Sequence, residues 1–425
     1  MAQACGAIPG AVKNQRRAMK FPRFTAAGIG WALAAFAAPL YVNASVPASE
    51  IADKAERHSA KAAAARAGID DAQAQRELAG VWPNPELGVT FDDTGTEDES
   101  RSVQLTQRIE LGGKAGQRVR VATAQYLTAE TAMRQAVVDV RSEAVKAFYE
   151  LALAELRLSE AKASNEIAGQ FSRALDKKLA AGKVPPIDAT KARLPALAAA
   201  NDLKHAERQH LLAQRRLELL IGEALPEDKH ALPELPPAPP QWPEVQQQLA
   251  LSPQTRLAQL RVDASTAELG LQRAQRWPDL QLSAGVKETL DTGERGGLFG
   301  VSIDIPLFNR NSGGVSAAKA RLRQAQAEQQ AQQRERALLV QTLHAELLDL
   351  SERLRLYQSE IIPAAEASVR AAQTGYDYGR YAFIDVLDAQ RSLLSARSER
   401  TGLWQQYLDR SAQFERELGG NAPGK

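Results

Sequence analysis

Residues 375–397 read GYDYGRYAFIDVLDAQRSLLSAR. The stretch has the form of a helix end, a tight turn at Gly379 and a new helix start. Glycine takes φ > 0 without steric cost and so ends helices. Asp385 and Asp388 fall in the first turns of the following helix, where carboxylates complement the helix dipole. The same form occurs at residues 182–193, GKVPPIDATKAR. Gly182 matches Gly379, Lys183 matches Arg380, and Ile187 with Asp188 matches Ile384 with Asp385. The offset is about 197 residues, nearly half of the 425-residue chain, and a repeat of that period sets the fold.

Each turn is preceded by a long helical stretch. From about 115 to 180 there is no proline, and Met133, Val137, Val140, Ala144, Ala147, Leu151, Ala154 and Leu158 follow the alternating spacing of coiled-coil packing. At ~1.5 Å per residue this helix is on the order of 100 Å long. A return helix runs to about 221 and stops at Gly222. The second copy spans about 314–378, with a kink expected at Pro363, and returns from the Gly379 turn to about 418. Each repeat also opens with a shorter helix, at about 49–80 and 244–276, ended by Trp82-Pro83 and Trp277-Pro278. Two short helices stacked end to end cover one long helix, so tall antiparallel helical pairs are expected.

Between the opening and the long helices the hydrophobic period changes to two. Leu87, Val89 and Phe91, then Val103, Leu105, Ile109 and Leu111, alternate with polar residues around a polar turn at 93–100. In the second repeat Leu280, Leu282, Ala284 and Val286, then Phe299, Val301, Ile303, Ile305 and Leu307, do the same around a turn at 288–297. These are two hairpins with one apolar and one polar face. Strands of this length span a bilayer when tilted. Four strands cannot close a transmembrane barrel, which needs about eight, and open edges in lipid leave backbone groups unpaired. Three copies sharing one barrel supply twelve. Soluble hairpins packed on helices are the competing arrangement.

Composition agrees. Aromatic residues are 5% of the chain, and Ala, Gln, Arg, Glu and Leu dominate, as in long helices. The net charge of +2 gives no reason to expect a nucleic-acid partner. The segments read as a signal peptide (1–44), a first repeat (45–223), a proline-rich linker (224–243), a second repeat (244–418) and a polar tail (419–425). The leader has a basic start at Lys13, Arg16, Arg17, Lys20 and Arg23, an apolar stretch over 26–41 and small residues before a cleavage site; an uncleaved anchor is the alternative. The single cysteine, Cys5, lies within it, so the remainder has no thiol ligand.

With those residues in view, the chain resembles the TolC-type outer-membrane efflux channels over nearly all of its length beyond the leader. The duplicated helix–hairpin–helix plan and the tip sequence GRYAFIDVLDAQ carry the resemblance. Within that family it is most similar to the cobalt–zinc–cadmium branch, through NPEL at 84–87, QRIELGGK at 107–114 and IPLFNRN at 305–311. The fold implied is mainly α with a small β part: internally duplicated long α-helical hairpins plus four β-strands per subunit, forming a trimeric α-barrel tunnel and a shared twelve-stranded transmembrane β-barrel. The function implied is a passive duct from the periplasm to the exterior, set in outer-membrane lipid and docked to a periplasmic adaptor protein and an inner-membrane pump of the RND type. Multidrug efflux or type I protein secretion by the same kind of channel, and a soluble periplasmic coiled-coil scaffold, are the rival readings.

The resemblance also implies site residues. Asp385 and Asp388 would line the periplasmic entrance, where six carboxylates from three subunits attract cations, repel anions and raise some of one another's pKa values. Helix capping is the plainer role for Asp385. Tyr376 would hold the entrance shut by a hydrogen bond to Asp188 of the neighbouring tip; amphipathic packing is its plainer role. Gly182 and Gly379 would keep the tips slim for the adaptor. No enzyme, cofactor or metal site is expected, since His58, His205, His210, His230 and His344 are scattered and His205 and His210 do not share a helix face.

Overall fold

The computed structural model describes residues 48–92, 99–225 and 232–420. The expected signal peptide, most of the first hairpin turn, His230 and the end of the tail lie outside the described residues.

The first repeat opens with α1 (Ala48–His58) and α2 (Ala60–Ala79), not one continuous helix. Ser59 divides them: its backbone is extended, and its hydroxyl accepts the N–H of Ala62, capping α2. The second repeat breaks in the same way. Between α5 (Trp242–Leu251) and α6 (Pro253–Ala274), Ser252 is extended and its hydroxyl accepts the N–H of Thr255. Pro253 enforces the break, because a residue preceding proline is pushed from the helical region.

The long helix α3 (Lys114–Ala180) is unbroken for 67 residues. It returns as α4 (Pro186–Ile221). Its counterpart is interrupted. α7 (Ser312–Leu356) passes through one π-helical turn, Tyr357–Ile361, into α8 (Ile362–Asp377), and α9 (Phe383–Leu418) returns. Pro363 lacks the N–H that would continue an α-helical ladder, and the wider turn just before it accommodates the loss. The disturbance expected at Pro363 therefore lies in the preceding turn.

Two apolar clusters meet at mid-height. One joins α1, α3 and α4 through Ile51, Ala55, Ala144, Ala147, Phe148, Leu151, Leu217 and Ile221. The other joins α5, α7 and α9 through Val245, Val340, Leu343, Leu347, Leu350, Leu403, Trp404 and Phe414, with Leu153 of α3. α3 thus passes between both, and four consecutive residues, Leu151 to Ala154, are buried. A fully buried leucine contributes about 1.5–3 kcal/mol, so this belt is the chain's main apolar anchor. The end of α4 meets α1 here, and the end of α9 meets α5, as end-to-end stacking of short helices on long ones requires. The linker segment from 232 runs across the second cluster: the Tyr407 hydroxyl donates to Pro237 O at 2.8 Å. A cavity of ≈ 430 Å³ lies between this linker, α1, α3 and α9, lined in part by Tyr149, Tyr407 and Glu415. Burial pushes the Glu415 carboxyl up to about 7 and raises the Tyr407 phenol too.

The hairpins form one antiparallel sheet in the order β1 (Glu86–Asp92), β2 (Ser100–Ile109), β3 (Leu280–Thr289), β4 (Arg295–Ile303). Strand β4 ends at Ile303, short of the expected Leu307, because Asp304 and Pro306 break the pattern. The second turn is shorter than the expected 288–297, since pairing extends to Glu288 and Arg295. The register aligns most apolar positions on one face, with Leu298 on the other beside Gly285. Leu87, Leu105, Ala284 and Phe299 form one row; Val89, Val103, Val286 and Gly297 form the next. Leu280 with Ile303 and Leu282 with Val301 continue it toward the helices. The opposite face carries rows such as Glu86–Thr106–Ser283–Gly300. The apolar face is uncovered in the protomer: Phe299 is 88% exposed and Phe91 73%. Water does not favour such a face, and lipid does.

Candidate functional site at the helical tips

Both tips use one turn. In the first, Gly182 N–H donates to Leu179 O at 2.9 Å and Lys183 N–H to Lys178 O at 2.9 Å. In the second, Gly379 N–H donates to Tyr376 O at 2.9 Å and Arg380 N–H to Gly375 O at 2.8 Å. Gly182 and Gly379 each have φ +69°, the left-handed conformation that this helix ending demands. Each tip then turns into a return helix, after Pro185 in the first and Ala382 in the second. The second is tighter: the Tyr381 ring lies so close to Gly375 that a Cβ there would come within 2.0 Å of Tyr381 Cδ2.

Asp385 and Asp388 are exposed at the start of α9. Asp385 Oδ2 accepts the N–H of Ala382 at 2.9 Å, so in the protomer its carboxylate caps its own helix. Asp388 points outward, 63% exposed, with Arg391 at 3.7 Å. Such a pair contributes little in solvent. Asp188 is half-buried at the matching place on α4, where its N–H donates to Pro185 O at 3.1 Å.

Within one protomer Tyr376 is held by Lys178 of the other tip. The Lys178 ammonium donates to the Tyr376 hydroxyl at 3.1 Å and lies 4.6 Å from the ring centroid. The ring also packs beside Phe171, which stacks on Phe383 at 4.7 Å. Val386, Ala372 and Ala389 form the small core below. Sequence reading named Tyr376 but missed Lys178, Phe171 and Phe383. Lys178 precedes Gly182 by one helical turn, as Tyr376 precedes Gly379 by nearly one; equating the two turns was the signal available for the pairing.

Above the tips, Arg400 bridges three helical segments. It donates to Glu160 on α3 at 2.5 Å and to Gln358 in the π turn at 3.2 Å. Arg397 donates to Glu366 at 2.9 Å. Burial raises the Glu160 pKa, and the charges of Arg400, Arg397 and Arg157 pull it back. Among the described residues no group of three His, Cys, Asp or Glu could hold a metal ion. Among the described histidines, His210 sits 3.8 Å from Glu155, and His344 lies 2.8 Å from Pro240 O. Nor is any described helix long and apolar enough to cross a membrane.

The family model for outer membrane efflux proteins matches residues 51–223 and 245–420, one match per repeat. The cobalt-zinc-cadmium resistance protein CzcC of Cupriavidus metallidurans is 31% identical over 358 residues, 83% of this chain and 84% of its own. The nickel and cobalt resistance protein CnrC of the same organism is 29% identical over 281 residues, 61% of this chain and 62% of its own. A membrane protein from Pseudomonas aeruginosa superposes with a TM-score of 0.77 at 21% identity, covering 88% of this chain and 90% of that one.

Proposed function

Because the chain belongs to the outer membrane efflux protein family, we propose that it is the outer-membrane channel of a tripartite efflux system, with divalent heavy-metal cations as its cargo. The carrying observation is the sheet. Its apolar face extends across four strands, while β1 and β4 leave open edges. Three protomers close those edges into a twelve-stranded barrel and continue it as a helical tunnel. The cargo reading is supported by the cobalt-zinc-cadmium and nickel-cobalt relatives. The tunnel is a passive duct: a periplasmic adaptor at the tips and an inner-membrane pump of the RND type supply direction and energy.

At the tunnel entrance, Asp385 and Asp388 of three protomers ring one aperture and favour cations. Tyr376 holds the second tip near the first through Lys178, and a contact with Asp188 of a neighbouring tip completes the closed state. Gly182 and Gly379 present slim turns to the adaptor.

A growth panel tests the cargo. A strain lacking the gene is challenged with zinc, cobalt, cadmium, nickel and copper salts beside dyes, detergents and antibiotics. Sensitivity to the divalent metals, restored by the wild-type gene, is the expected result. Sensitivity to the organic compounds alone would move the channel to drug efflux. Single-channel reversal potentials test the entrance: Asp385→Asn with Asp388→Asn is expected to lose most of the cation preference, and Asp188→Asn less, because the first tip carries Lys191 where the second carries Asp388.

A further inference from the structure

The apolar face of the sheet ends at its outer rim in a charged row. Phe91, Arg101, Glu288 and Arg295 are cross-strand partners across all four strands. The row beneath is Val89, Val103, Val286 and Gly297. Residues two apart on a strand share a face, so both arginines stand on the apolar side of the sheet, at the hairpin-turn end. Along β2, Arg101 lies about 27 Å from Ile109, a distance comparable to the apolar band of a transmembrane barrel.

Among the described residues, the cluster sets two guanidinium groups against one carboxylate. Arg101 Nε donates to Glu288 Oε2 at 2.7 Å, with its Nη2 at 2.5 Å, and Arg295 Nε donates to Glu288 Oε1 at 3.0 Å. Glu288 is 18% exposed, while the arginines are 50% and 69% exposed. Each guanidinium has five N–H donors, more than one shared carboxylate takes up, in a planar fork suited to phosphate. Charge at this depth is tolerated on the lipid side only near the interface.

We propose that Arg101 and Arg295, pre-positioned by Glu288, bind the phosphorylated headgroup of an anionic lipid in the outer leaflet, once per protomer. The site rests on the outer-membrane reading above. Continuity with the apolar band selects a lipid over a soluble anion: the acyl chains lie along the valine and phenylalanine rows while the phosphate meets the arginines.

The test uses the purified full-length protein in neutral detergent, titrated with lipid A, phosphatidylcholine or inorganic pyrophosphate and read by native mass spectrometry. Wild type is expected to retain lipid A in preference to phosphatidylcholine. Arg101→Gln with Arg295→Gln is expected to weaken lipid A retention about ten-fold or more, as the loss of charge-assisted bonds implies. Arg101→Lys with Arg295→Lys, which preserves charge and the pairing to Glu288, falls between. Arg108→Gln, on the opposite face, leaves retention unchanged. The proposal is overturned if the Gln pair retains lipid A like wild type, if wild type holds phosphatidylcholine equally well, or if pyrophosphate binds these arginines as tightly as lipid A does. Planar-bilayer conductance of the same samples separates the outcomes: loss of lipid preference with intact channels sinks only this site, whereas wild-type protein without channels sinks the functional reading.

Discussion

At Gly182 and at Gly379 the backbone makes the same turn with equivalent carbonyls capped, yet the helices that arrive there are built differently. α3 reaches its tip unbroken; α7 and α8 are joined by a π turn that Arg400 ties to α3 through Glu160. The side chains diverge as well. Asp188 and Asp385 match, but the first tip carries Pro185, Pro186 and Lys191 where the second carries Ala382, Phe383 and Asp388. A glycine in the right conformation suffices to make a hairpin tip. Its electrical and mechanical character is set separately by what surrounds the turn.

The interrupted helix is where the second repeat is expected to break first. Arg400→Met leaves Glu160 buried with weaker neutralisation and removes the tie to Gln358. Loss of about 3 kcal/mol is expected, read as a lowered thermal midpoint of the assembled protein, with faster proteolysis near the π turn than near the matching part of α3. A midpoint unchanged from wild type would mean that the π turn needs no support from α3.

The next largest effect depends on pH. Glu415 on α9 lies against the cavity, whereas Glu218, at the matching place on α4, accepts the Gln214 amide at 3.0 Å. Burial raises the Glu415 carboxyl from its ordinary 4.5 to about 7. The folded state therefore holds this proton more tightly than the unfolded chain. Its stabilising contribution is complete below about pH 4.5 and is lost as pH rises through 7. Glu415→Gln is expected to gain about 1–3 kcal/mol over wild type at pH 8 and nothing at pH 4. Thermal melts across that range check it, and a pH-independent difference would count against it.

Smaller still is the cost of the turns themselves. Neither Gly182 nor Gly379 has a neighbour within 4 Å of an added Cβ, so alanine at either site pays only for the left-handed backbone, about 1–2 kcal/mol. Equal losses for Gly182→Ala and Gly379→Ala are expected; clearly unequal ones would show that the turns are not equivalent. Tyr376→Phe removes one exposed hydrogen bond but keeps the ring under the Lys178 ammonium. Its expected cost is under about 1 kcal/mol, visible as raised conductance of the closed channel and exceeded by Lys178→Met.

Much of this architecture was legible in the residue pattern. The repeat fixed the duplicated helices, period-two alternation fixed the strands, and glycines at matching offsets fixed the turns. The residue pattern reads as continuous opening helices at about 49–80 and 244–276. Ser59 and Ser252 instead cap new helices, a local competition that composition averages away. The tip site was half legible. Asp385, Asp388, Asp188 and Tyr376 stand out beside the turns, but Lys178 is one of many charged residues on α3 until the fold brings it to Tyr376.

By itself, then, the sequence determined what local chemistry controls: the helical repeat, turn positions, strand faces and the acidic start of α9. The tertiary structure decided what depends on residues far apart in the chain. It made Lys178 the partner of Tyr376, placed Glu160 beneath Arg400, pressed Glu415 against a cavity and aligned Arg101, Glu288 and Arg295 in one row. Those pairings follow from strand register and helix packing, which sum many weak contacts over the whole length of the molecule, and no single stretch encodes them.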